Sequence, residues 1–127
     1  MSKNTKEVGN IGENVACKFL VKQRFTVIER NYTKKWGEID IVAKKEGKWH
    51  FVEVKAVTRE TLENVSREMD YAPEEKVHPK KLEKIARTAE TYLIEKGIEE
   101  NWCIDVIAVF LDMTRKQAKC RLVENVL

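Results

Sequence analysis

Two adjacent segments, Gly37–Ala43 and Trp49–Val57, alternate residues at the period of a β-strand, and only Lys44-Lys45-Glu46-Gly47-Lys48 separates them. Strands this close in sequence pair as an antiparallel hairpin, because a parallel crossover needs about a dozen residues or more. With Glu46 and Gly47 as a two-residue turn, Asp40 faces Glu53 and Glu38 faces Lys55. The alternate positions pair Ile39 with Val54 and Ile41 with Val52. One face of the hairpin is then aliphatic. The other gathers Glu38, Asp40, Glu53 and Lys55 within a side chain's length of one another, since facing Cβ atoms lie roughly 4.5 to 5.5 Å apart.

The ionic face is not simply the wet side of a surface hairpin, because its parity continues into the apolar Val42 and Phe51. Both faces are therefore expected to be buried near the turn and ionic only at the far end. Two carboxylates opposite each other repel, and burial raises the cost of ionising both. A hard divalent cation such as Mg²⁺ resolves that conflict, since it takes one or two protein carboxylates and keeps waters and phosphate oxygens as its remaining ligands. Lys55 beside such a site can orient a water or stabilise charge developing on a phosphate. The plainer alternative is a cross-strand salt bridge between Glu38 and Lys55, which leaves the Asp40–Glu53 pairing unexplained.

Around the hairpin, Ile11, Val15 and Phe19 with Ala16 and Leu20 form the stripe of a helix over Ile11–Gln23. Phe25–Arg30 reads as a short strand, followed by a basic turn over Asn31–Lys35. Pro79 near its start, the stripe Leu82, Ile85, Ala86, Ala89 and Leu93, and Gly97 at its end define a second helix. Trp102–Leu111 is an apolar run interrupted by Asp105 and reads as a buried strand, and Arg121–Leu127 as a short final one. The order of helix, three strands, helix and two strands is that of an α/β domain with one central sheet. Residues 1–127 are expected to form one domain, with residues 1–9 flexible and 58–76 a long acidic loop.

With 43% hydrophobic and 35% charged residues, the composition is that of a globular protein. No segment is long and apolar enough for a membrane helix, and the polar N-terminus is no secretory signal. Cys17, Cys103 and Cys120 are odd in number and lack paired spacing, which argues against a disulfide framework or a zinc site and fits reduced thiols in the cytoplasm. The net charge is only +3, but Asn14–Arg59 holds 11 Lys and Arg against 5 acids, whereas Glu60–Lys76 holds 6 acids against 2 bases. The basic part contains the hairpin, which suits a polyanionic partner.

A longer string runs through these features: Gly12-Glu13, Ala16, Leu20, Arg30-Asn31, Trp36-Gly37-Glu38-Ile39-Asp40-Ile41-Val42, Phe51-Val52-Glu53-Val54-Lys55, Val77, Lys81, Ala89-Glu90, Tyr92-Leu93 and Asp105-Val106. Its centre resembles the PD-(D/E)xK signature, and the whole resembles the bacterial YraN family over about residues 9 to 127. That family comprises predicted endonucleases of the restriction-endonuclease-like fold, a central mixed sheet flanked by helices, similar to archaeal Holliday-junction resolvases. The resemblance implies that Asp40 and Glu53 bind the metal, that Val54 offers it a backbone carbonyl, and that Glu13 completes the site from the first helix. Lys55 would be the catalytic lysine, and Glu38 belongs to the family's Gly-Glu-Ile-Asp string. Two features depart from the pattern. Ala56 stands where an arginine or other polar residue is expected, and the acidic stretch Glu60–Glu75 differs from the shorter glycine-containing segment of the family.

Among the other candidates, Glu13 lies beside the first helix's apolar stripe, although an acid in a first turn is also favoured by the helix dipole. Lys81 lies about 80° from the second helix's stripe, near enough to reach a phosphate at the site's edge. His50 follows the aliphatic parity and is expected to be packed or capped; Asp105 needs a buried hydrogen-bond or lysine partner. Trp36, Trp49 and Trp102 read as core or rim. The expectation is therefore a cytoplasmic endonuclease using Mg²⁺, or Mn²⁺ in its place, on DNA, branched DNA included. A homodimer follows only by analogy with junction resolvases. The competing readings are a nucleic-acid-binding or scaffold protein without turnover, and an interaction module built on the 60–76 loop.

Overall fold

The computed structural model describes residues 5–65 and 77–127. Helix α1 (Thr5–Lys22) leads into a five-stranded sheet of β1 (Thr26–Lys34), β2 (Gly37–Lys45), β3 (Lys48–Thr58), β4 (Trp102–Asp112) and β5 (Gln117–Val123), and α2 (Pro79–Lys96) falls between β3 and β4. The strands lie in sequence order. Every neighbouring pair is antiparallel except β3–β4, which is parallel. This is the mixed α/β sheet expected, and it is consistent with a restriction-endonuclease-like domain.

Alternation along the strands divides the core between the two faces. Ile41, Ala43, Val52, Ile107 and Val109 pack with Ala16 and Leu20 of α1. Val42, Phe51 and Ile104 pack with Ile85, Ala89, Tyr92 and Leu93 of α2. Two glycines permit these contacts. A Cβ on Gly12 would lie 2.4 Å from that of Ala56, and one on Gly37 would lie 2.5 Å from Thr88 Oγ1. The small residue at position 56 thus sits where α1 approaches β3.

The β2–β3 turn is the expected one, with φ of 49° at Glu46 and 76° at Gly47, the doubly positive pattern of a tight hairpin. Helix α2 is capped by His78, whose Nδ1 accepts the Lys80 amide, and by Gly97 at φ 65°. Several boundaries differ from expectation. Thr5–Gly9, expected to be flexible, form the first turns of α1. Asn31–Lys34, expected as a turn, extend β1, because their partners in β2 continue to Gly37. The last strand is Gln117–Val123 rather than Arg121–Leu127. It is an edge strand whose first residues are exposed, so no apolar run marked it. Of the acidic loop, Leu62 and Val65 are buried against Ala108 and Phe110; its residues 66–76 lie outside the described residues.

Candidate functional site

The β2–β3 ladder runs from Lys45–Lys48 to Ile41–Val52 in the expected register and goes no further. Beyond it β2 stays paired with β1 as far as Gly37, while β3 stays paired with β4 as far as Thr58. The sheet therefore forks. The expected continuation, Asp40 with Glu53, Ile39 with Val54 and Glu38 with Lys55, does not form as backbone pairs. Ile39 packs instead with Val42 and Phe51 on the α2 side, so β2 changes face at Asp40. Opposite this point in β1 is Asn31, whose φ of 55° is left-handed, a conformation asparagine tolerates.

Asp40 fills the mouth of the fork. Its Oδ2 accepts the Val54 amide at 2.8 Å, the donor that a continued ladder would have directed to Ile39. Burial, and then the charge of Glu53, push the Asp40 carboxyl up to about 7, against the Val54 hydrogen bond, which lowers it. Asp40 and Glu53 also share a hydrogen bond, so the two acids are in contact as expected. Glu53 is 6% exposed and meets two ammonium groups, Lys81 Nζ at 2.6 Å and Lys55 Nζ at 4.0 Å from its Oε1. Burial and then Lys81 lower the Lys55 pKa. Burial also pulls on Lys81, but its hydrogen bond and attraction to Glu53 outweigh that and leave it raised.

A cleft beside Asp40 is lined by Glu13, Asn31, Glu38, Val54 and Ala56 among others. Glu13, buried on α1, is held at its Oε1 by Arg30 Nε and Asn31 Nδ2, both at 2.9 Å, while Arg30 Nη2 donates to Asn14 Oδ1. The structure thus divides the expected residues into two groups. Glu13, Glu38 and Val54 line the cleft with Asp40, whereas Lys55 and Lys81 lie on Glu53, and the Asp40–Glu53 contact joins the groups. Arg30 and Asn31 had no role from sequence. The signal available was a cation and an amide next to each other, with a buried helix acid in need of partners.

These residues fit a hard divalent cation. Two adjoining carboxylates, one of them retaining its proton to about pH 7, are a site whose repulsion a cation relieves.

A second cluster lies between β3 and β4. His50, Cys103 and Asp105 are all buried and place ligand atoms within 4.8 Å of one another, so they could hold a metal ion. Hydrogen bonds already connect them. Asp105 contacts His50 Nδ1 at 2.6 Å and accepts from Cys103 Sγ at 3.2 Å and the Asn125 amide at 3.1 Å. The Asp105 partner is thus a histidine, a thiol and a backbone amide rather than a lysine. Burial, and then Asp105, push the Cys103 thiol up to about 12, which keeps it protonated.

The model of uncharacterised protein family UPF0102 matches residues 12–109, a span that includes Glu13, the forked hairpin, Lys81 and Asp105. The chain belongs to the UPF0102, or YraN, family. A UPF0102 protein of Campylobacter jejuni is 43% identical over 105 residues, covering 83% of this chain and 85% of its own. Those of Campylobacter fetus and Helicobacter pylori are 36% and 38% identical, over 91% and 90% of this chain and 88% and 85% of theirs. No described helix of this UPF0102 protein is long and apolar enough to cross a membrane.

Proposed function

We propose that this UPF0102 protein is a metal-dependent endonuclease that hydrolyses DNA phosphodiester bonds. The observation that carries the reading is the contact of Asp40 with Glu53 at the fork, with two lysines on Glu53. Asp40 and Glu53, with the Val54 carbonyl and Glu13 of α1, would hold Mg²⁺, or Mn²⁺ in its place. Bound there, the ion would polarise a phosphate oxygen and make a water more acidic. Lys55, its pKa lowered by burial, would orient that water and balance charge gathering on the phosphate. Arg30 and Asn31 hold Glu13 in position.

DNA is favoured as substrate by the basic composition of Asn14–Arg59 and by the family resemblance, and branched DNA by the likeness to junction resolvases. A junction has two strands to cut, so a homodimer is part of the proposal, as is a cytoplasmic setting.

The second reading is a nucleic-acid-binding protein that keeps the fold without turnover. It draws on the same ion pair, since Lys81 already neutralises Glu53. Labelled single-stranded, duplex, flap and four-way-junction DNAs, incubated with Mg²⁺ or Mn²⁺, separate the two. The nuclease reading expects metal-dependent cutting that Glu53→Ala and Lys55→Ala abolish. Tight binding to one of these DNAs with no cutting by well-folded protein would favour the second.

A further inference from the structure

We infer that the Lys81 ammonium is an exchangeable counter-ion of Glu53: it neutralises the carboxylate in the metal-free protein and releases it when a divalent cation binds, which frees the lysine for a DNA phosphate. The inference rests on the metal-dependent reading above and names the residue that links cation binding to DNA binding.

Three observations carry it. First, Lys81 Nζ lies 2.6 Å from Glu53 Oε1, on one of the carboxylates assigned to the cation. Lys55, at 4.0 Å, is the more distant of the two ammonium groups. Second, the partners differ in freedom. The Glu53 side chain is 6% exposed and fixed on β3, whereas that of Lys81 is 47% exposed on a flexible stem, so the lysine is the one able to move. Third, Lys81 lies in the first turn of α2, which holds no acid. A cation is disfavoured there by the helix dipole, and an anion such as phosphate is favoured. Glu53 is the partner that holds the lysine in this position.

Charge balance gives the consequence. With both acids ionised, Asp40, Glu53, Lys55 and Lys81 sum to zero. A divalent cation then leaves an excess of two positive charges, which backbone phosphates can neutralise. Cation and DNA should therefore each strengthen the binding of the other.

The test is calorimetric titration of Mn²⁺ into wild-type protein, Lys81→Met, Lys81→Arg and Asp40→Asn, with folding checked by circular dichroism and Lys81→Gln as a second neutral variant. Removing the competing charge should tighten Mn²⁺ binding about tenfold in Lys81→Met and Lys81→Gln, and leave Lys81→Arg near wild type. With Ca²⁺ in place of Mn²⁺ to avoid cutting, the cation's gain in duplex DNA affinity should be smaller in Lys81→Met than in wild type, because the cation's own charge still acts but no lysine is released; an equal gain would overturn the release. Should wild type bind Mn²⁺ through Asp40 while the neutral variants bind it no more tightly, the counter-ion role is overturned and the metal site stands. If wild type binds no Mn²⁺, both fall.

Discussion

The Asp40 carboxylate accepts the Val54 amide at 2.8 Å, so a side chain occupies the place of a backbone carbonyl where β2 and β3 part. One residue thereby ends the ladder and satisfies the donor exposed by ending it. It also brings an acid against Glu53 inside the sheet. An unpaired buried amide would otherwise cost about 1 to 3 kcal/mol.

The same carboxyl should make the metal-free protein less stable as pH rises. Its folded pKa, about 7, exceeds the ordinary value of 3.8, so between these values the folded state binds more protons than the unfolded state. Stability then falls as pH increases through that window. Thermal melts in chelator from pH 4 to 7.5 should show this fall, and Asp40→Asn should flatten it. A parallel slope in the variant would place the titration elsewhere.

Gly12 and Ala56 should behave as a coupled pair. Gly12→Ala forces α1 away from β3 and is expected to cost about 1 to 3 kcal/mol. Urea denaturation of Gly12→Ala, Ala56→Gly and the double variant checks this. The double variant should recover much of the loss, and strict additivity would exclude direct packing of the two positions.

Removing the partly exposed Arg30 guanidinium withdraws one of two donors from the buried Glu13 carboxylate. Arg30→Met is expected to cost about 1 kcal/mol in stability. Its larger effect should be on cation affinity or cleavage, because Glu13 loses its support, and both can be measured on the folded variant. A variant with unchanged affinity and rate would reduce the pair to a surface salt bridge.

Asp105 is fully buried and binds three partners. Asp105→Ala leaves the Asn125 amide and the His50 ring without it, and a loss of about 2 to 5 kcal/mol in urea denaturation is expected. A loss below about 0.5 kcal/mol would mean that the cluster does not fasten β3, β4 and the C-terminal segment together.

The strands nearest the site were legible because alternation and a Glu-Gly turn fix their register. The nearness of the Asp40 and Glu53 side chains followed from that register, although their backbones do not pair. The fork did not, because it depends on the Asp40 side chain competing for a backbone donor, and periodicity does not record such competition. The change of face at Ile39 escaped for the same reason. Strand β5 was misplaced because Gln117, Lys119 and Arg121 belong to an edge strand, where burial leaves little pattern. Lys81 was expected near the site by its angle on α2, but its contact with Glu53 depends on how α2 packs on β2.

Phosphodiester hydrolysis is assigned to the Asp40–Glu53 site. Single-turnover cleavage of the best-cut DNA of the panel, at saturating Mg²⁺, tests it most directly when wild type is compared with Asp40→Asn. Asp40→Asn should lose about 10²-fold or more in rate, with DNA affinity in chelator retained. Cutting by Asp40→Asn within about threefold of wild type, or no cutting by wild type at all, would contradict it.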